Sequence, residues 1–344
     1  MKALVLKEYK KFAYEEAPEP QLAPDEVLVA VRACGICGSD VHGMDGSSGR
    51  RVPPLIMGHE AAGVVAEAGP LARRWKPGDR VTFDSTLYCG QCWYCRRGEV
   101  NLCDQRRVLG VSCAEYRRNG AFAQFVNVPE RIVYRLPDNL PFEQAALVEA
   151  LSVAAHAVLR SPVQLNDTAL VVGAGMIGLL LIQLLRLAGC RRIIALDLNE
   201  QRLHLARKVG ASETFHANTQ QLPARIAELT EGRGADLSFE AVGFAAALET
   251  AVQCVRKGAA VTLVGNLQAR VELPLQTVVT RQLKLLGTCA SAGEYPLCLD
   301  LLASGKIDVS GCISATAPLS QGAEWFQRLY AGEKGLMKVV LLPP

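Results

Sequence analysis

No block of like charge runs through this chain. Its 37 lysines and arginines are balanced by 34 aspartates and glutamates, leaving a net charge of +3 over 344 residues. That excludes the concentrated basic surface by which proteins grip nucleic acid or anionic membranes. Internal repeats and low-complexity tracts are also missing, which argues against solenoids and disordered tails. The N-terminus, MKALVLKEYKKFAYEE, offers only the four apolar residues ALVL before Lys7. It lacks the apolar core of a secretory signal, so a cytoplasmic location is expected. One uncharged run, ALVVGAGMIGLLLIQLL at 169–185, approaches the length of a membrane span. Glycines interrupt it and no second span accompanies it, so it reads as strand, turn and helix.

What is present is a large apolar fraction. Half of the residues are hydrophobic and 21% are charged, the balance of a soluble globular protein. Single cores stop growing at roughly 250 residues, so two domains are expected. Small-molecule partners suit this composition better than macromolecular ones. Of twelve cysteines, several are closely spaced, and a reducing compartment favours metal binding or simple burial over disulfides.

Short β-branched runs at 27–32, 63–68 and 79–83 are separated by Gly, Pro and Asp, and this texture persists to about residue 137. The first domain is therefore β-rich. PFEQAALVEALSVAAHAVL at 141–159 then has helical spacing. Beyond it, strands such as TALVV, RRIIALD, ADLSFEAV and AAVTLVG alternate with helices, LETAVQCVRKG among them. Such alternation predicts a doubly wound α/β domain with a parallel sheet. Two helices and a final strand, MKVVLLPP, close the chain, and that strand is free to join either domain.

VVGAGMIG places Gly173, Gly175 and Gly178 between a predicted strand and a predicted helix. These glycines allow a tight turn, close approach of a pyrophosphate and close helix packing, while the helix N-terminus offers free N–H groups. The next strand ends in Asp197, about 20 residues on, where an acid holds the adenosine ribose. Asp197 favours NAD over NADP because a carboxylate repels a 2′-phosphate. Arg202 works the other way, since a guanidinium there is able to pair with that phosphate.

CGICGSDVH supplies Cys34, Cys37, Ser39, Asp40 and His42, and GHEAAG supplies His59 and Glu60. Thiolate, imidazole and carboxylate suit zinc, and a catalytic site keeps one position open. Taken singly, Cys34 and Cys37 also fit a redox pair, and a lone histidine is more often structural. A second group, Cys89, Cys92, Cys95 and Cys103, is separated by two, two and seven residues. This pattern leaves open a redox centre, a disulfide knot, a nucleic-acid-reading zinc ribbon and a structural metal staple.

In combination and in order, GICGSDVH, GHEAAGVV, KPGDRV, the four-cysteine stretch, VEALSVAAH and VVGAGMIG resemble the zinc-dependent medium-chain alcohol dehydrogenase family over essentially the whole chain. VEALSVAAH is most similar to the sorbitol and polyol branch. The resemblance implies a β-rich GroES-like catalytic domain at 1–151, carrying a structural zinc lobe at 89–103. A Rossmann NAD-binding domain at 152–290 and a C-terminal return to the catalytic domain at 291–344 complete it. It further implies two zinc ions per subunit, NAD as coenzyme, and a homo-oligomer, dimer or tetramer. Cys37 and His59 would bind the catalytic zinc, with Glu60 and Glu149 beside it and either able to be the direct ligand. Asp40 would orient His59, and Cys34 would be a packed thiol. Cys89, Cys92, Cys95 and Cys103 would bind the structural zinc, with Arg96, Arg97, Arg106 and Arg107 nearby as candidates to offset its charge. Ser39 and His42 would relay the alcohol proton outward, a task suited to imidazole. Around the dinucleotide, Met176, Ile177 and Val242 would join the glycines, with Val264, Gly265, Asn266, Thr288 and Cys289 on the nicotinamide side. The open zinc would lie at a cleft between the domains.

Three departures from the branch concern the substrate. Ala150 replaces a proline, Gly43 replaces a substrate-contacting tyrosine, and Ala290 and Ser291 replace an arginine and a tyrosine. Sorbitol itself is therefore disfavoured. The expected activity is hydride transfer from a secondary alcohol, a polyol or sugar alcohol, to NAD+. Related alternatives are a galactitol-1-phosphate-like enzyme, with Arg50 and Arg51 as candidate phosphate ligands, and an L-threonine-like one. A non-catalytic zinc- and nucleotide-binding protein is the alternative from another class.

Overall fold

A computed structural model describes residues Met1–Pro344 and divides them into two compact units, Met1–Glu149 with Ala292–Pro344, and Ala150–Ser291. In the first unit the long strand Glu26–Gly35 is central to a seven-stranded sheet. Glu60–Ala68 and Lys338–Leu342 flank it, and Phe125–Pro129 also pairs with it. A three-stranded sheet of Lys2–Glu8, Lys11–Glu16 and Leu55–Ile56 packs with it. Alternation along Glu26–Gly35 turns Val27, Val29 and Val31 into a core completed by Phe83, Phe122 and Phe326. The final strand, ambiguous from its sequence, belongs to this unit: Val340 pairs with Gly35 and Leu341 with Cys34.

The second unit is a six-stranded, wholly parallel sheet. Its order is Glu213–His216, Arg192–Asp197, Thr168–Val172, Ala235–Glu240, Val255–Leu263, Lys284–Gly287, the Rossmann order. The apolar run at 169–185 divides as expected into the strand Thr168–Val172 and the twelve-residue helix Met176–Leu187. One local reading is corrected. The helix expected through LETAVQCVRKG ends at Gln253, and Val255 already begins a strand. Cys254 and Val255 are buried, and the apolar pattern that extends a helix there serves equally well to open a buried strand.

Candidate metal centre

The first site forms where three strand ends meet. Gly35 pairs with Glu60 on one side and with Val340 on the other, so residues just beyond those ends converge. Cys37 caps the short helix Gly38–Gly43, and His59 immediately precedes the strand Glu60–Ala68. His59 is delivered by Gly58, whose φ of +96° and tight surroundings suit no other residue. A Cβ there would stand 2.8 Å from the Phe122 nitrogen and 2.9 Å from Cys34 Sγ. Ligand atoms of Cys37, His59 and Glu60 all lie within 4.8 Å of one another. Cys34 is buried outside that trio, and burial pushes its thiol well above the ordinary cysteine range.

The imidazole of His59 is backed by Asp40, whose Oδ1 is 3.4 Å from Nδ1. That leaves Nε2 available to a metal, as in carboxylate–histidine–zinc triads. Asp40 is fully buried, and burial alone would raise its carboxyl. The charges of His59 and Arg51 hold it down at about 2, so it stays ionised across the working range.

The two glutamates have different surroundings. Glu60 is one of the metal trio, but both of its oxygens accept from Lys338 Nζ, at 2.8 and 2.6 Å. Glu149 stands outside the trio. Its Oε1 accepts from Ser85 Oγ at 3.2 Å, and burial pushes its carboxyl up to about 7 against the pull of His59. With Ala150 in place of proline, Glu149 sits in the first turn of the helix Val148–Arg160, a conformation that a following proline disfavours. Ser39 and His42 are exposed on the helix Gly38–Gly43.

Lys338 was not anticipated as part of this site, and Arg51, a candidate phosphate ligand, is instead paired with Asp40. Lys338 carried one signal, a single charge within the apolar run LMKVVLL. Its side chain is 3% exposed. Burial opposes its charge, yet Glu60 and Cys37 raise its pKa. A raised lysine pKa means that the pair contributes fully at neutral pH and is lost only above the ordinary lysine range of about 10.4. Removing one partner of a buried pair costs roughly 3–5 kcal/mol. Lys338→Met is therefore expected to unfold at clearly lower urea concentration than the parent at pH 7. An unchanged midpoint would show that the pair contributes nothing.

The four-cysteine group also assembles. Its sulfurs lie within 4.8 Å of one another, and Cys89 Sγ and Cys95 Sγ are 4.0 Å apart. A disulfide needs about 2.05 Å, whereas sulfurs about 2.3 Å from a tetrahedral zinc stand about 3.8 Å apart. Backbone N–H groups of Gln91 and Cys92 donate to Cys89 Sγ, and those of Cys89 and Gln105 to Cys103 Sγ. The Gln91 and Cys92 donors lower the Cys89 thiol to about 6, while burial and the neighbouring Cys92 push Cys95 up to about 12. Four thiols so close cannot all ionise unaided, and a divalent cation resolves the conflict. Of the candidate compensating arginines, Arg97 instead lies 3.7 Å from Glu99 and over the Trp93 ring.

In the parallel-sheet unit, Gly173 has φ +97° and Gly175 caps the helix Met176–Leu187. A Cβ on Gly178 would collide with the Gly173 carbonyl oxygen. Met176 and Ile177 are the first two residues of that helix. Asp197 closes its strand, with Oδ2 accepting from Ala174 N and Oδ1 from Asn199 N, at 2.8 and 2.9 Å. Arg202 Nη1 is 3.9 Å from Asp197 Oδ2. Glu240, overlooked in the sequence, organises the adjoining turns. Its carboxylate accepts from Val242 N and Gly243 N, and its carbonyl from Val264 N and Gly265 N. Asn266 follows the latter turn, Thr288 N donates to Leu263 O, and Cys289 is exposed.

A GroES-like zinc domain and a Rossmann unit define a class of oxidoreductase, and comparison with known proteins specifies it. The family model for the alcohol dehydrogenase GroES-like domain matches residues 23–138, and that for zinc-binding dehydrogenase matches 177–304. Sorbitol dehydrogenase of Bacillus subtilis (strain 168) is 34% identical over 348 residues, covering 100% of this chain and 97% of that one. Alcohol dehydrogenase TADH from Thermus sp. ATN1 superposes with a TM-score of 0.92 at 31% identity, covering 100% of both chains. Galactitol-1-phosphate dehydrogenase from Escherichia coli gives 0.90 at 27%, again covering 100% of both. The chain belongs to the zinc-dependent medium-chain alcohol dehydrogenase family, in its polyol dehydrogenase branch. It is an NAD-dependent zinc oxidoreductase acting on CH–OH groups.

Proposed function

We propose that this enzyme oxidises a secondary alcohol carbon of an unphosphorylated polyol or sugar alcohol to a ketone, and runs the reverse reduction. The observation that carries this reading is the convergence of Cys37, His59 and Glu60 in a chain alignable along its whole length with a sorbitol dehydrogenase. When bound, zinc supplies a Lewis acid for the alcohol oxygen, and NAD+ accepts the hydride from carbon. Cys37 and His59 hold the metal, with Glu60 and Glu149 beside it. Ser39 accepts the alcohol proton as its own hydroxyl proton passes outward, and His42 releases a proton to solvent. Asp197 holds the adenosine ribose of NAD+.

Phosphorylated substrates are disfavoured because Arg51 is buried and already ion-paired with Asp40, leaving only Arg50 exposed. In solution we expect a cytoplasmic homo-oligomer, dimer or tetramer. The open edge strand Lys284–Gly287 and the exposed Leu275 and Val279 nearby support assembly. The decisive experiment offers polyols, sugar phosphates and hydroxy amino acids with NAD or NADP, following nicotinamide absorbance before and after chelation. Fastest turnover is expected for an unphosphorylated polyol with NAD, lost on chelation. Absence of turnover with every alcohol, with two zincs bound, would refute the reading.

A further inference from the structure

Arg51 is a buried cation beside the metal trio that the reaction scheme leaves without a role. Its side chain is 5% exposed. Nε and Nη2 donate to Asp40 Oδ1 at 3.1 and 2.9 Å, and Nη2 also reaches Ser39 Oγ at 3.3 Å. Nη1 donates to the Arg50 carbonyl at 3.0 Å. The backbone is held by Val52 N donating to Ser112 O. The aliphatic stem runs where a side chain at position 43 would stand, since a Cβ on Gly43 would lie 2.6 Å from Arg51 Cγ. The missing side chain at 43 and the arginine at 51 therefore act as one device.

We infer that Arg51 is a positioning residue that fixes two working parts of the site at once. One is Asp40, which aims His59 at the metal; the other is the hydroxyl of Ser39. Asp40 is wholly buried, and a buried carboxylate keeps its orientation only while hydrogen-bonded partners hold it. The oxygen bound by the guanidinium is the one facing His59 Nδ1, so the fork holds the carboxylate edge that orients the ring. A serine hydroxyl has one donor and two acceptor directions. With one acceptor direction occupied by Arg51, a single lone pair remains to receive the alcohol proton, and the O–H points onward. Arginine does not exchange its proton in this range, so it directs the relay without draining it. Lysine is able to neutralise Asp40, but its compact charge does not span both partners.

The Ser39 half rests on the proposed reaction; the zinc half does not. The test follows zinc release to a chromogenic chelator, with the four-cysteine zinc as internal reference, and kcat on the accepted alcohol. Arg51→Met is expected to release the catalytic zinc about 10–100-fold faster, with the reference zinc unchanged. Gly43→Ala, which displaces the stem while keeping the arginine, shifts release the same way by a smaller factor and decides the case if Arg51→Met does not fold. Arg51→Lys restores zinc retention but leaves kcat about 10-fold low, and it lowers kcat no further in a Ser39→Ala background. Parental release rates in Arg51→Met and Gly43→Ala would overturn the zinc role. Independent, multiplying losses from Arg51→Lys and Ser39→Ala would overturn the relay role. If no alcohol is turned over, the release rates still decide the positioning of His59.

Discussion

Cys92→Ser protein is expected to carry one zinc instead of two and to become susceptible to proteolysis within 89–103. The lobe has little else to hold it. Its α-helix, Trp93–Arg96, is one turn long and buries no residue, and Trp93 is 61% exposed. Structural zinc contributes on the order of 10–16 kcal/mol of folding free energy in comparable small units, so losing a ligand removes most of the lobe's stability. Retention should also depend on pH. Protons compete with zinc for the thiolates, so retention weakens as pH falls, from a Cys89 thiol that its backbone donors already hold low in the empty site, at about 6. Metal analysis after dialysis at stepped pH, with limited proteolysis, measures both effects. Two tightly held zincs in the variant would refute the assignment.

His59→Ala should abolish turnover while leaving the lobe zinc, the fold and NAD binding in place. Loss of the Lewis acid costs several kcal/mol of transition-state stabilisation, on the order of a 10³-fold fall in kcat. His59 belongs to the first unit and the dinucleotide turn at Gly173–Gly178 to the second, so coenzyme affinity serves as the control. Steady-state kinetics, zinc content and NADH fluorescence titration together make the measurement. Parental kcat with one zinc lost would place the chemistry elsewhere.

Local chemistry explains how much was legible from residues alone. Gly173 and Gly178 are needed for contacts within a few residues or beside an adjacent strand, so their motif is short and readable, whereas Gly58 makes room for Phe122, which is distant in sequence. The four-cysteine lobe is likewise written in one stretch of fifteen residues, 89–103. Alternating β-branched runs and the βαβ rhythm set the two sheet types, because each element must bury one face or both. The misread helix end at Gln253 marks the limit of periodicity where a buried strand follows at once.

Residue types and short spacings determined the candidate metal groups, the dinucleotide turn and the fold class, since those depend on chemistry and geometry within a turn or a strand. Only the tertiary structure decided how the inner charges are matched. Lys338 reaches Glu60 across 278 positions because their strands flank the same central one, and Arg51 reaches Asp40 through the space left at Gly43. Burial makes each of those charges costly alone, and which distant cation neutralises which carboxylate follows from strand order and packing, quantities that no local pattern encodes.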